Sequence, residues 1–150
     1  MGNICRSPTA HGVFQAKVQE AGLAGRVEID SAGTHDYHVG APPDSRAQQA
    51  ALRRGVDLST LRARAVADVD FDHHDYVLAM DLDNYALLEQ VCPPAQRHKL
   101  KLFLEFAPDA PVREVPDPYY GGAGGFERVL DLVEQGAEGL LNDIRRRIGR

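Results

Sequence analysis

The sequence predicts an α/β fold in which a parallel sheet is covered by helices. Three observations predict it. Long stretches carry apolar residues at helical spacing, most clearly from Phe126 to Ile148. Short apolar runs of strand length lie between them, as in Tyr76-Val77-Leu78-Ala79-Met80. No hairpin turn joins one such run to the next, so neighbouring strands must be connected through helices and run parallel.

Taken in chain order, Ser7-Pro8 predicts a helix start, with a hydroxyl cap and proline at the first helical position. Val13, Phe14, Val18 and Ala21 fall on one face of that helix, which Gly22 ends. Val27 to Ser31 alternates like a short strand, and Ala32-Gly33-Thr34 turns away from it. A loop with Gly40, Pro42 and Pro43 leads to a second helix from about Asp44 to Arg54, stopped by Gly55. Asp83 to Val91 predicts a helix with Leu87, Leu88 and Val91 inward, and Leu100 to Phe106 reads as a short strand or a helical turn. In the last helix Val129, Leu130, Val133, Ala137, Leu140, Leu141, Ile144 and Ile148 form the buried stripe.

The 150 residues suit one domain, 1–150, large enough to bury a real core. A formal net charge of -5 argues against a nucleic-acid partner, because phosphate backbones need a basic face. Arg145, Arg146, Arg147 and Arg150 are the local exception, and cations in a last helical turn complement the helix dipole. No apolar run has the length of a membrane span. Cys5 and Cys92 are far apart and lack metal-ligand spacing, which points to a reducing cytoplasm rather than a disulfide framework.

Two motifs carry chemistry. Gly2-Asn3-Ile4-Cys5-Arg6-Ser7 sets successive backbone N–H groups before a helix N-terminus, an arrangement that attracts anions. Arg6 could grip two phosphate oxygens with its planar fork. The bland reading is a capped helix start that carries Arg and Cys. In Pro116-Asp117-Pro118-Tyr119-Tyr120-Gly121-Gly122, Asp117 sits between two prolines on a stiff loop, where an acid could protonate a leaving group. Tyr119 and Tyr120 could wall an aromatic slot beside it. Alone, this motif would read as a turn with two packing tyrosines.

Together the motifs resemble those of the low-molecular-weight protein tyrosine phosphatases, and the resemblance covers essentially the whole chain. Its pieces are GNICRSP, SAGT, HVGAPPDSRA, the RAR at Arg62 to Arg64, DFDHHDYVLAMDLDN and DPYYGG. The resemblance implies a single-domain three-layer sandwich with a four-stranded parallel sheet. It also implies hydrolysis of protein phosphotyrosine through a cysteinyl-phosphate intermediate, with no metal or other cofactor. By position, Arg6 resembles the arginine that binds phosphate and stabilises the transition state, and Asp117 the general acid. Met1, Gly2, Asn3, Ile4, Cys5, Arg6 and Ser7 would form the phosphate loop, supported by Asn3, Ser7 and Ser31. Met1, Ile4, Tyr37, Tyr119 and Tyr120 would line the crevice for the aromatic substrate.

The family's loop is Cys, five residues, then Arg. Counting back from Arg6 puts the nucleophile immediately before Met1, so the expectation is an N-terminally truncated member without its first strand and nucleophilic cysteine, inactive as written. Met1 then reads as an internal methionine of the loop. In the family the first strand lies between those matching Val27 to Ser31 and Tyr76 to Met80. Cys5 resembles the family's second loop cysteine and reads as a partly buried free thiol. Leu61 stands where many members carry a histidine that supports the loop. His11, His73 and His74 read as solvated surface residues rather than metal ligands.

Implied partners are phosphotyrosine-containing proteins, a bacterial tyrosine kinase among the candidates, for a monomer that binds neither nucleic acid nor membrane. Three rivals compete. An arsenate reductase would need further cysteines and lacks the Asp-Pro-Tyr-Tyr element. A protein-arginine phosphatase carries threonine where this chain has Ile4. A catalytically dead phosphate- or phosphotyrosine-binding module would have no need of Asp117.

Overall fold

The computed structural model describes residues 4–35, 38–118 and 124–148. Helix α1, Arg6–Glu20, buries Val13, Phe14 and Val18, and the chain leaves it through Gly22 at φ 74°. Its cap is Cys5 rather than Ser7, without a side-chain hydrogen bond. Ser7 and Pro8 lie inside the first turn, where a missing proline N–H costs no helical bond. Helix α2, Ser45–Leu52, is capped by Asp44, whose carboxylate accepts from the Arg46 N–H at 2.8 Å. Gly55, at φ 83°, turns the chain after it.

A short helix α3, Asp68–His73, precedes strand β1, Val77–Ala79. Helix α4, Leu82–Val91, then crosses over to strand β2, Leu100–Leu102. The two strands are parallel, with Val77 opposite Leu100 and Ala79 opposite Leu102. Residues after β2 close into a 3₁₀ turn, Phe103–Phe106, so both readings of the 100–106 stretch hold in succession. Helix α5, Gly124–Ile148, buries every expected stripe residue through Ile144, with Ile148 half-buried at its end.

Three expectations are corrected. Val27 to Ser31 has the alternating exposure of a strand but joins no ladder among the described residues, where a cavity lies beside it. The sheet among the described residues is therefore β1 and β2, plus one parallel bridge between Gly33 and Ala65. On α4, Leu88 and Asn84 face inward one turn apart, while Leu87 and Val91 on the adjoining stripe are exposed.

Packing divides into two cores. The larger joins α1, α2, α5 and the 3₁₀ turn. The smaller gathers Phe71, Ala79, Leu88, Cys92, Leu100 and Leu102 around the strands. Close approach of α5 to the 3₁₀ turn depends on Gly139, since a Cβ there would stand 1.7 Å from the Phe106 carbonyl oxygen. Among the described residues no helix is long and apolar enough to cross a membrane.

Candidate active site

The N-terminus of α1 meets the carboxyl end of β1, the side of an open parallel sheet where ligands bind. Arg6 opens the helix with its side chain buried to 4% exposure. Its Nη1 donates to Asp81 Oδ2 at 2.6 Å and to the Val115 carbonyl at 2.8 Å. Asp81 is placed by the end of β1 and caps α4, accepting from the Asn84 N–H at 2.7 Å. Burial works to raise its carboxyl, but the bonds from Asn84 and Arg6 outweigh it and hold it below the ordinary value.

Val115 is fully buried, and its N–H donates to the Met80 carbonyl at 2.8 Å. That bond ties the segment carrying Asp117 to the end of β1. Asp117 is exposed, and it lines the same cavity as Arg6, Ser7 and Ile4. An arginine fixed at a helix N-terminus, with a carboxyl group across one cavity, can bind an anion and exchange a proton beside it.

Cys5 borders this site without suiting nucleophilic attack. Burial, then the charges of Asp44 and Asp117, push its thiol up to about 12 against the pull of Arg46. A thiol held there is almost wholly protonated at neutral pH, and the thiolate is the reactive form. Ile4 is anchored beside it, because its carbonyl accepts from the Asp44 N–H at 2.7 Å.

Arg6, Ser7, Asp117 and Ser31 thus share one cavity with Ile4 and Cys5. Ser31 pairs with His11, whose Nδ1 lies 3.0 Å from its hydroxyl, so His11 is half-buried rather than a surface residue. Burial lowers the His11 pKa. Leu61 packs against the larger core. Met1, Gly2, Asn3, Tyr37, Tyr119 and Tyr120 lie outside the described residues.

Sequence reasoning missed Asp81, Asn84 and the Val115 carbonyl. The available signal was an aspartate directly after an apolar run, in the position that caps the next helix. It also took His73 and His74 as simply solvated. His73 is exposed but contacts Glu28, and the two histidines and Glu28 bring possible ligand atoms within 4.8 Å of one another. This group sits at the end of the cavity away from Arg6.

A family model described as low molecular weight phosphotyrosine protein phosphatase matches residues 1–149. A low molecular weight phosphotyrosine protein phosphatase of Schizosaccharomyces pombe is 43% identical over 136 residues, 89% of this chain and 86% of that protein. A low molecular weight protein-tyrosine-phosphatase of Bacillus subtilis, YfkJ, is 37% identical over 146 residues, 97% of this chain and 92% of that protein. A protein tyrosine phosphatase of Entamoeba histolytica, crystallised with Hepes in its active site, superposes with a TM-score of 0.93 at 40% identity, covering 99% and 94% of the two chains. A Drosophila arginine phosphatase superposes with a TM-score of 0.88 at 29% identity, covering 97% and 94%.

Proposed function

This chain belongs to the low molecular weight phosphotyrosine protein phosphatase family, and on that premise we propose that it supplies the anion-binding and proton-transfer parts of a phosphotyrosine hydrolase. The observation that carries the reading is the buried Arg6, fixed by Asp81 and Val115 at the start of α1, with Asp117 lining the same cavity.

In the first step a cysteine thiolate attacks phosphorus, forming the S–P bond as the P–O bond to the tyrosyl oxygen breaks. Asp117 gives its proton to that oxygen. Arg6 and the α1 N-terminus bind the phosphoryl oxygens as charge redistributes on them. In the second step Asp117, now a carboxylate, takes a proton from water. The water oxygen attacks phosphorus, the S–P bond breaks, and inorganic phosphate and the thiolate are released.

The cysteine's place is directly before Met1, a position these 150 residues do not include. Losing the nucleophile from such a cooperating set costs on the order of a million-fold. By position in the family's motifs, Tyr37, Tyr119 and Tyr120 are assigned to recognition of the aromatic substrate, and Met1, Gly2 and Asn3 to the phosphate loop. Ile4 favours a flat tyrosyl ring, which sets this reading above phosphoarginine hydrolysis. The substrates are phosphotyrosine-containing proteins, with a tyrosine kinase among them, met by a monomer in the cytoplasm.

The test joins an apolar strand and a cysteine ahead of Met1. This extended polypeptide should show a burst of phosphoenzyme and steady turnover of p-nitrophenyl phosphate and phosphotyrosyl peptide. Residues 1–150 alone should show neither. Turnover by the 150 residues alone, abolished by Cys5→Ser, would overturn the assignment.

A further inference from the structure

Arg6 and Asp117 use one end of the cavity, and a different set of chemistry-bearing side chains gathers at the other. There Glu28, His73 and His74 bring one ligand atom each to within 4.8 Å of one another. His73 Nε2 and a Glu28 carboxylate oxygen are already in contact. Among the described residues no other three histidine, cysteine or carboxylate side chains are gathered in this way.

Adjacent residues of one regular element point apart, by about 100° around a helix and to opposite faces of a strand. Here the chain changes from one form to the other between the two histidines. His73 ends α3, and His74 follows it in extended conformation at φ -95° and ψ 148°. The two rings come to lie 4.8 Å apart, edge to face.

Both sides of the cluster are held. Phe71 is buried in the smaller core, and Lys99 Nζ donates to its carbonyl at 2.8 Å, which fixes the end of α3. Val27 and Ile29, on either side of Glu28, pack against the larger core. Arg64 ties the two sides together. It donates to both carboxylate oxygens of Asp70 on α3 at 2.9 Å, and pairs at 3.0 Å with Asp30, two residues beyond Glu28. The ligands are thus carried by positioned elements, as a binding constellation requires.

We propose that Glu28, His73 and His74 bind a divalent transition-metal ion such as zinc. Two imidazoles and a carboxylate form a donor set suited to such ions, whereas magnesium and calcium take oxygen ligands. Around tetrahedral zinc, ligand atoms stand about 3.3–3.6 Å apart. Reaching that spacing takes only small rotations, because the His73 and Glu28 side chains are 61% and 68% exposed. The same exposure leaves the fourth position to water. Asp70 Oδ1, 3.9 Å from His74 Nε2, adds a negative charge beside the ion. An imidazole binds metal through an unprotonated nitrogen, so the proton between His73 Nε2 and Glu28 moves to Nδ1 or to solvent. The bound ion clamps the 27–31 segment to the junction of α3 and β1. Nothing in this assignment depends on the phosphotyrosine hydrolase reading.

The experiment titrates zinc chloride into the chelator-treated 150-residue chain, free of any histidine tag, near neutral pH. Calorimetry should show saturable one-to-one binding, and the melting temperature should rise by about 5–10 °C at a hundredfold excess over Kd. Glu28→Gln, His73→Gln and His74→Gln should each weaken binding at least about tenfold, the lower end of what loss of a metal-site group costs. His98→Gln, outside the cluster, should bind as the parent does, and millimolar magnesium should not compete. Binding should be lost in concentrated urea, because Glu28 and His73 lie 45 residues apart and meet only in the fold. No saturable binding below about 1 mM zinc overturns the site. So does parent-like affinity in any of the three cluster variants, an equal loss in His98→Gln, or binding that persists in urea.

Discussion

Arg6 Nη1 and Asp81 Oδ2 lie 2.6 Å apart, an ion pair between residues 75 positions apart in sequence, with Arg6 buried and Asp81 20% exposed. The pair fixes the guanidinium against the end of β1, which would leave it already aimed for the anion binding proposed for it. Asp81 is therefore a positioning residue for Arg6. In the extended polypeptide, Asp81→Asn keeps an acceptor for the Asn84 N–H but removes the charge. It should lower kcat/KM by about 10²-fold, the scale of a misplaced catalytic group. Unchanged kinetics would show that Arg6 needs no such support.

The same pair predicts the acid limb of stability. Asp81 is held below its ordinary value of 3.8, so its contribution is complete above that value and is lost as pH falls through the lower folded one. Asp81→Ala should cost about 2–3 kcal/mol near neutral pH, below the full figure for a wholly buried pair because Asp81 is partly exposed. The difference from the parent should shrink in denaturant titrations taken at successively lower pH below about 4. A difference independent of pH would assign the loss to packing instead.

Asp117 carries a prediction about leaving groups. A tyrosyl oxygen needs a proton as its bond to phosphorus breaks, and a nitrophenyl oxygen needs it far less. Asp117→Ala in the extended polypeptide should slow phosphotyrosyl peptide turnover by about 10²–10⁴-fold and nitrophenyl phosphate much less. Steady-state kinetics on the two substrates decide it. Equal losses would reduce Asp117 to a turn residue.

What the sequence reveals depends on where each residue finds its partners. The α5 stripe and the exits through Gly22 and Gly55 are local patterns, and all three are found where the spacing places them. Leu87 and Val91 misled because helical spacing admits two adjoining stripes, and only contact with β1 and β2 selects the one holding Leu88. Val27 to Ser31 shows the converse, since alternation records a strand's faces and says nothing about whether its edges are paired. Arg6 and Asp117 stood out because each lies in a motif with a chemical reason, and the two line one cavity. Asp81 did not, because its significance lies wholly in a contact 75 residues away.

Cys5 should be slow to react. Its thiol sits near 12 instead of 9.0, which lowers the thiolate fraction by about a thousandfold at a given pH below 9. Alkylation by iodoacetamide at pH 8, followed by mass spectrometry, should modify Cys5 in the folded chain at least a hundredfold more slowly than in denaturant. Labelling at the unfolded rate would show that the thiol is neither buried nor beside Asp44 and Asp117.

The division into two cores makes the strand region the weaker half of the 150-residue chain. The smaller core rests on four large side chains, Phe71, Leu88, Leu100 and Leu102, each worth roughly 1.5–3 kcal/mol when buried. Its sheet is a three-residue ladder whose β1 edge also borders the cavity. The larger core holds most of the buried apolar residues and three helices. Local opening should therefore release β1, α4 and β2 together before α1 and α5 separate. Native-state hydrogen exchange should find the amides of Ala79 and Leu102 opening at a free energy several kcal/mol below those of Val133 and Leu140. In the extended polypeptide a strand between β1 and the 27–31 segment would bury about four more apolar side chains against both cores, a gain of roughly 6–12 kcal/mol before the cost of ordering it. The two groups of amides should then converge on one opening free energy. Equal protection of all four amides in the 150 residues alone would show that the cavity does not divide the fold.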